Sequence, residues 1–173
     1  MQQTKLLHLA DVHFDAPLKC KNEELRTELR EATFVAFERA VSDALVEMVD
    51  AVVIAGDLFD GARISIETEM RVREQFERLC RAGVSVVIVS GNHDPSGSQF
   101  STRDIDWPDN IRIVGSSEPT QIEVYSKEHG TDVPALVMVA AGHEHRTHAE
   151  TLAARRTGRS CLDFRGASRR RRG

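Results

Sequence analysis

The chain has 173 residues, which is enough for one domain with a hydrophobic core and too few for two independent cores. Hydrophobic residues make up 40% of it and charged residues 29%, an ordinary balance for a globular protein. No apolar run approaches the roughly 18 residues that span a bilayer, and the first residues lack the pattern of a secretory signal. We therefore expect a cytoplasmic protein that does not cross a membrane.

Charge is distributed unevenly along the chain. Residues 1–140 contain 14 Lys and Arg against 24 Asp and Glu, whereas residues 141–173 contain 9 Arg against 3 acidic residues. A protein that binds nucleic acid by itself usually presents a basic face, because neutralisation of phosphates dominates the affinity. The acidic part therefore indicates that any nucleic acid substrate is held by metal ions or by a partner.

Three apolar, β-branched segments predict strands that are buried on both faces: residues 5–10, 51–56 and 84–91. Helical periodicity between them predicts two helices. The order β-α-β-α-β is typical of an α/β protein with a parallel sheet and right-handed crossovers. Ligands of such sheets bind beyond the carboxyl ends of the strands.

The first predicted helix begins after Asn22, a good N-cap residue. Its predicted buried stripe contains Leu25, Leu29, Ala32, Ala36, Ala40, Ala44 and Met48, widened by Phe37, Val41 and Leu45. The second predicted helix is capped by Ser65 and ends at Gly83, with Ile66, Met70, Phe76 and Leu79 as its apolar residues. His8, inside the first strand, is interpreted as a packed structural histidine.

The sequence changes in character after the third strand. Residues 111–114, 120–125 and 135–140 predict further short strands, which either continue the sheet or begin a second one. From residue 141 onward the chain is rich in Arg and poor in apolar residues, which predicts a disordered tail.

Polar residues follow each of the first three predicted strands: Asp11-Val12-His13, Gly56-Asp57 and Gly91-Asn92-His93-Asp94. Because the carboxyl ends of parallel strands meet at one edge, we expect these side chains to converge. Carboxylate and imidazole ligands together favour Mn²⁺, Fe or Zn²⁺ over Ca²⁺. The spacing suits a pair of ions bridged by one carboxylate.

Each motif also has an ordinary structural interpretation. Asp-x-His after a strand is usually part of an ordinary loop, and Gly-Asp is still weaker evidence for a metal site. Gly-Asn-His-Asp has the composition of a common turn. Their occurrence at the ends of three successive buried strands favours the metal site over three unrelated turns.

The segments DVHF, GDLFD and GNHD resemble the first three signature motifs of the calcineurin-like metallophosphoesterases. HLADVHFD and AGDLFD are most similar to the SbcD-type DNA repair exonucleases, and the resemblance covers about residues 4–140. It implies an α/β metallophosphoesterase sandwich, incomplete at its C-terminal end. Residues 1–140 are interpreted as the N-terminal part of that domain and 141–173 as the tail.

The resemblance also implies roles for individual residues. Asp11 and His13 would bind the first ion, Asp57 would bridge, and Asn92 would bind the second. His93 would act as proton donor or transition-state stabiliser, with Asp94 as its orienting partner. The implied reaction is hydrolysis of a phosphodiester by two divalent ions, with Mn²⁺ favoured, and without a covalent enzyme intermediate.

Complete members of the resembled family supply a further histidine after another strand and then a Gly-His-x-His pair. Here Gly142-His143-Glu144-His145 matches the pair but follows Asp94 too closely, and we expect the tail to lack the apolar residues needed to return to the sheet. His143 and His145 are therefore tentative metal ligands. The abrupt change in composition fits a truncated or frameshifted end.

Three functional hypotheses remain open from the sequence. The first is a DNA exonuclease or endonuclease of repair type that works with a coiled-coil ATPase of SbcC type; its oligomeric state, including a homodimer, is left open. The second is a phosphatase or cyclic-nucleotide phosphodiesterase on the same scaffold. The third is a catalytically silent fragment whose Arg-rich tail binds anions nonspecifically.

Overall fold

The computed structural model describes residues 4–60, 64–96, 105–125, 134 and 136–144. Two helices lie between the first three strands, as predicted. The helices and strands, in chain order, are β1 (Leu6–Leu9), α1 (Glu23–Val46), β2 (Ala51–Ala55), α2 (Ile66–Ala82), β3 (Ser85–Val89), β4 (Ile111–Val114), β5 (Thr120–Val124) and β6 (Leu136–Ala140).

The strands form two sheets. β1, β2, β3 and β4 pair in that spatial order, and all three pairings are parallel. β5 and β6 pair with each other in antiparallel orientation. The segment 111–114 therefore continues the first sheet, and the last two strands begin a second one, which resolves the alternatives that the sequence left open. The α/β class with a parallel core is confirmed.

The central sheet is covered on both faces, and β2 in its interior is apolar at every position. Successive side chains of a strand point to opposite faces. Val52 and Ile54 of β2 pack with the helices, whereas Ala51 and Val53 pack with β5 and β6. The fold is thus a sandwich of helices, parallel sheet and two-stranded sheet.

The predicted helix ends are confirmed by their hydrogen bonds. The Asn22 side chain accepts from the Leu25 N–H at 3.2 Å, and the Ser65 hydroxyl accepts from the Thr68 N–H at 3.1 Å. Gly83 ends α2 with φ of 69°, the left-handed conformation that glycine adopts at little cost.

The predicted buried stripe of α1 is wrong at half of its positions. Phe37, Val41 and Ala44 are buried as predicted, and Phe34, which was not predicted, is buried with them. The exposed members of the predicted stripe are Leu25, Leu29, Ala32, Ala36 and Met48. The helix has 24 residues, so at about 1.5 Å per residue it is roughly twice as long as a five-residue strand and its first turns extend beyond the sheet.

Three further residues are more exposed than the sequence indicated. Ile66 and Met70 of α2 are exposed, whereas Phe76 and Leu79 of the same predicted set are buried, together with Val72. His8 is exposed rather than packed, because β1 is the edge strand of the sheet.

Arg71 of α2 connects the two helices. Its guanidinium donates to Glu31 at 2.7 and 3.0 Å and to Glu38 at 3.1 Å, and it lies 4.0 Å from the centre of the Phe34 ring. The hydrogen bond with Arg71 lowers the pKa of Glu31, and the same bond raises the pKa of Arg71.

Within the described residues, no helix is long and apolar enough to cross a bilayer.

Phe14 attaches the loop that follows β1 to the helix layer. Its ring is 1% exposed and lies 4.6 Å from the Phe34 ring and 5.2 Å from the Phe37 ring, measured between centroids. Phe14→Ala should lower the free energy of unfolding by about 3–5 kcal/mol, because it leaves a cavity among these aromatic rings. Urea denaturation measures this change. Val35→Ala, at an exposed position of α1, is the control and should change stability by less than about 0.5 kcal/mol; an equal loss in both variants would contradict the prediction.

Candidate metal centre

The loops that follow β1 and β2 continue to pair after the strands end. Asp11 N–H donates to Gly56 O at 3.3 Å, His13 N–H to Asp57 O at 2.9 Å and Phe14 N–H to Leu58 O at 3.0 Å. This pairing carries the register of the parallel strands into the loops. It places the first and second motifs side by side at the carboxyl edge of the sheet.

Several residues of these loops have left-handed backbone conformations. Asp11 and His13 each have φ of 53°, and Asp57 has φ of 51°. For residues other than glycine this conformation costs about 1–2 kcal/mol each, and such strain clusters at functional sites. The pairing between the loops and the burial of Phe14 and Leu58 offset that cost.

Asp11, His13 and Asp57 form a group of possible metal donors whose ligating atoms all lie within 4.8 Å of one another. His13 Nε2 is 3.9 Å from Asp11 Oδ1 and 4.0 Å from Asp57 Oδ2. Donors about 2.0–2.2 Å from one ion would lie on the order of 3–3.5 Å apart, so a small contraction would complete the site. The Asp11 side chain is 74% exposed and that of Asp57 is 11% exposed, so the group opens to solvent on one side.

The chemistry of this group fits a divalent cation. Two carboxylates converge on one imidazole, and among the described residues neither carboxylate has a Lys or Arg partner. A buried carboxylate without a counter-charge is unfavourable, and a cation would neutralise it. Two oxygen ligands and one nitrogen ligand suit Mn²⁺, Fe or Zn²⁺.

Asp60 is a site residue that the sequence reasoning missed. Its Oδ1 lies 2.7 Å from His93 Nδ1, and its Oδ2 lies 3.6 Å from His13 Nδ1. The two imidazole rings are in edge contact, with centroids 4.9 Å apart. Asp60, His13 and His93 form the second donor group of the described residues. The available signal was the second acidic residue of GDLFD, three positions after Asp57.

Asp94 does not make the contact with the His93 ring that the sequence analysis assigned to it. Its carboxylate, which is buried, accepts hydrogen bonds from the backbone N–H groups of Gly91, Asp57, Leu58 and Phe59. Burial raises the pKa of Asp94, the backbone donors oppose that rise, and the nearby charge of Asp57 adds to it. Asp94 points toward the second loop, where three of its four donors lie, and Asp60 is the carboxylate that contacts the His93 ring.

The third motif is bonded to the second through Asp57. His93 N–H donates to Asp57 Oδ1 at 2.8 Å. A Cβ on Gly91 would collide with the Asp57 carboxylate, so the glycine allows the two loops to approach. Asn92 is exposed in this loop, and its predicted binding of a second ion stays a prediction.

Gly142 and His143 return to the sheet edge, contrary to our expectation for the tail. His143 N–H donates to Ser90 O at 2.9 Å, and Ser90 Oγ donates to His143 O at 2.8 Å. A Cβ on Gly142 would collide with Val114 O and Ser90 Oγ. The return depends on backbone hydrogen bonds that follow β6, and so it does not need the apolar side chains that the tail lacks.

His143 and His145, the two candidate ligands near the end of the sequence, differ in what the structure shows of them. His143 belongs to neither donor group formed by the described residues. His145 and most of the predicted tail, residues 145–173, lie outside the described residues.

The family model for the calcineurin-like phosphoesterases matches residues 4–134. The chain belongs to the calcineurin-like phosphoesterase family. This confirms the predicted family and fold class, and it agrees with the positions of the three motifs at one sheet edge.

Among curated proteins, the chain is similar to an uncharacterized metallophosphoesterase, YhaO, of Bacillus subtilis, with 36% identity over 66% of this chain and 28% of that protein. It is similar to the DNA double-strand break repair protein Mre11 of Aeropyrum pernix, with 38% identity over 52% of this chain and 21% of Mre11. It is also similar to SbcD, a subunit of the nuclease SbcCD of Rhodobacter capsulatus, with 35% identity over 53% of this chain and 22% of SbcD. The matched region is therefore less than a third of each relative's length.

Asp57 is expected to matter most for metal binding, because its carboxylate lies between the first and third loops. Asp57→Ala should abolish detectable Mn²⁺ binding, whereas His13→Ala should leave one weakened site, since a bridging carboxylate serves both ions. Calorimetric titration with Mn²⁺ measures both stoichiometry and affinity. Asp106→Ala, which removes an exposed carboxylate outside both donor groups, is the control. Equal residual stoichiometry in the Asp57 and His13 variants would contradict the bridging role.

Proposed function

We propose that this chain is the metal-binding part of a phosphodiester hydrolase that acts on DNA. The observation that supports this proposal most directly is that the Asp11, His13 and Asp57 donors lie beside the Asp60–His93 pair at one edge of the sheet. One group can hold a cation and the other can hold or move a proton, and hydrolysis of a phosphodiester needs both.

The first ion would be held by Asp11, His13 and Asp57, and the second by Asp57 and Asn92, with His143 and His145 as further candidates. When bound, such ions supply Lewis acidity that withdraws charge from a phosphoryl group. Mn²⁺ is our preferred ion because it accepts both carboxylate and imidazole ligands, and Fe and Zn²⁺ share this property.

His93 is positioned to assist the leaving oxygen of the substrate. Its Nδ1 is bonded to Asp60 Oδ1 at 2.7 Å, which fixes the orientation of the ring and leaves Nε2 for the substrate. Its side chain is 40% exposed, so substrate can reach it. The other oxygen of Asp60 lies 3.6 Å from His13 Nδ1, beyond hydrogen-bond distance, so His93 is the imidazole that Asp60 orients.

The relatives support DNA as the substrate class. Mre11 is named as a DNA double-strand break repair protein and SbcD as a subunit of a nuclease. The acidic charge of residues 1–140 supports the need for a second component that holds the DNA, because an acidic surface repels phosphates. We propose a coiled-coil ATPase of SbcC type for that component. A cytoplasmic location stays a prediction.

The first test is hydrolysis of linear duplex and single-stranded DNA in Mn²⁺. We expect slow cleavage that depends on the metal and stops with chelator. His93→Ala should retain Mn²⁺ binding but lose about 10²–10⁴ in rate, because it removes proton transfer and not a ligand. Asp60→Asn should lose about 10–100-fold in rate, since it removes the carboxylate that orients the His93 ring. Asp106→Asn is the matched control.

The outcomes separate the alternative functions. Hydrolysis of a small phosphomonoester or a cyclic nucleotide, with no cleavage of DNA, would support a phosphatase or cyclic-nucleotide phosphodiesterase instead. No hydrolysis of any phosphoester in Mn²⁺, together with DNA binding that weakens steeply with salt, would support a silent fragment. Loss of metal in His93→Ala would make that residue a ligand.

The slow rate is itself a prediction, because the proposed ligands among the described residues are three for the first ion and only Asp57 and Asn92 for the second. A stable pair of ions usually needs about three protein ligands for each ion. The double variant His143→Ala, His145→Ala should therefore cleave DNA at the same slow rate as the parent chain. Robust cleavage by the parent that disappears in the double variant would contradict this and assign both histidines as ligands.

A further inference from the structure

The Asp94 carboxylate is the acceptor for backbone donors from two loops. Oδ2 accepts from Leu58 N–H at 2.8 Å and from Phe59 N–H at 3.3 Å, while Oδ1 accepts from Asp57 N–H at 3.2 Å and from Gly91 N–H at 2.6 Å. The residue is 5% exposed. Among the described residues it has no Lys or Arg partner, so the N–H groups are what stabilises its charge.

Three of these donors belong to consecutive residues, 57–59, that follow β2. Their N–H groups face one side, since all three donate to the same carboxylate, and Gly56 and Asp57 in this turn are left-handed, with φ of 88° and 51°. Successive N–H groups in such a turn form a concave anion site, called a nest. In this chain the anion in the nest is a side chain of the protein itself.

The turn also determines where the Asp57 side chain points. Asp57 is left-handed without being glycine, so this conformation persists only if surrounding contacts hold it. The Asp57 carboxylate accepts from His93 N–H at 2.8 Å and lies 4.0 Å from His13 Nε2, so a change at its backbone would move it away from both. Asp94 is thus connected to the metal centre through the conformation of one residue.

We propose that Asp94 is a positioning residue whose carboxylate fills the nest of residues 57–59 and holds Asp57 in the conformation that presents its carboxylate to the metal. The proposal rests on the proposed function in one respect, namely that Asp57 binds the ions. It assigns to Asp94 an action on the metal site through the second loop and not through the His93 ring.

The first experiment needs no metal. Amide hydrogen exchange of Leu58 and Phe59, measured by NMR on the metal-free full chain, should be at least tenfold faster in Asp94→Asn than in the parent. Val72→Ala, a buried change in α2, is the matched control for lost stability. The backbone amide of Val87 in β3 should exchange at similar rates in Asp94→Asn and Val72→Ala. Equal exchange at Leu58 and Phe59 in these two variants would overturn the proposal.

The second experiment measures Mn²⁺ affinity by calorimetry in the same variants. We expect Asp94→Asn to bind about 10–100-fold more weakly, Asp94→Glu to recover part of that loss because it keeps the charge, and Val72→Ala to stay within about twofold of the parent. Affinity in Asp94→Asn within twofold of the parent would overturn the proposal. If Asp94→Asn does not fold, Asp94→Ser, which also removes the carboxylate, decides: parent-like affinity and exchange in that variant overturn the proposal, and weakened affinity with faster exchange supports it.

The two proposals fail in different ways. A parent chain that binds no Mn²⁺ contradicts the proposed function, while the exchange experiment still tests whether Asp94 holds the turn. If the parent chain and Asp94→Asn bind Mn²⁺ equally well, only the positioning role of Asp94 is contradicted.

Discussion

Asp57 is bonded to the loops on both sides of it, and the arrangement of the candidate site depends on these bonds. Its carbonyl accepts from His13 in the first loop, its carboxylate accepts from the His93 N–H in the third, and its own N–H donates to Asp94. This is a consequence of strand order, since β2 lies between β1 and β3. Because it follows β2, Asp57 can contact the loops of both neighbouring strands.

The cost of this arrangement is electrostatic as well as conformational. Asp11, Asp57, Asp60 and Asp94 lie in three adjacent loops, and the described residues supply no Lys or Arg to them. Asp94 accepts hydrogen bonds from backbone N–H groups, Asp60 is bonded to the His93 ring and Asp57 accepts from the His93 N–H, whereas Asp11 is largely exposed to solvent. A divalent cation would remove the repulsion that remains, which is why metal binding and the order of the loops should depend on each other.

The two acidic residues beside His93 have separate tasks. Asp60 reaches the imidazole rings from the end of the second motif, whereas Asp94 is directed away from them into the backbone of that motif. Adjacent residues in a turn project in different directions, so proximity in sequence was a poor guide to which of the two would contact His93. Hydrogen bonds to His143 hold Ser90, the residue that precedes the third motif.

The sequence by itself determined the β-α-β-α-β order, the helix caps at Asn22 and Ser65, and the strand-end positions of Asp11, His13, Asp57 and His93. These features are local, because each depends on hydrophobic periodicity or on a residue's preference within a few positions. Only the tertiary structure decided that Asp60 contacts His93, that β5 and β6 leave the first sheet, and that Leu25 and His8 are exposed. Those outcomes depend on which backbone groups meet across long stretches of chain and on how far a helix extends past its sheet, and no local pattern encodes such distances.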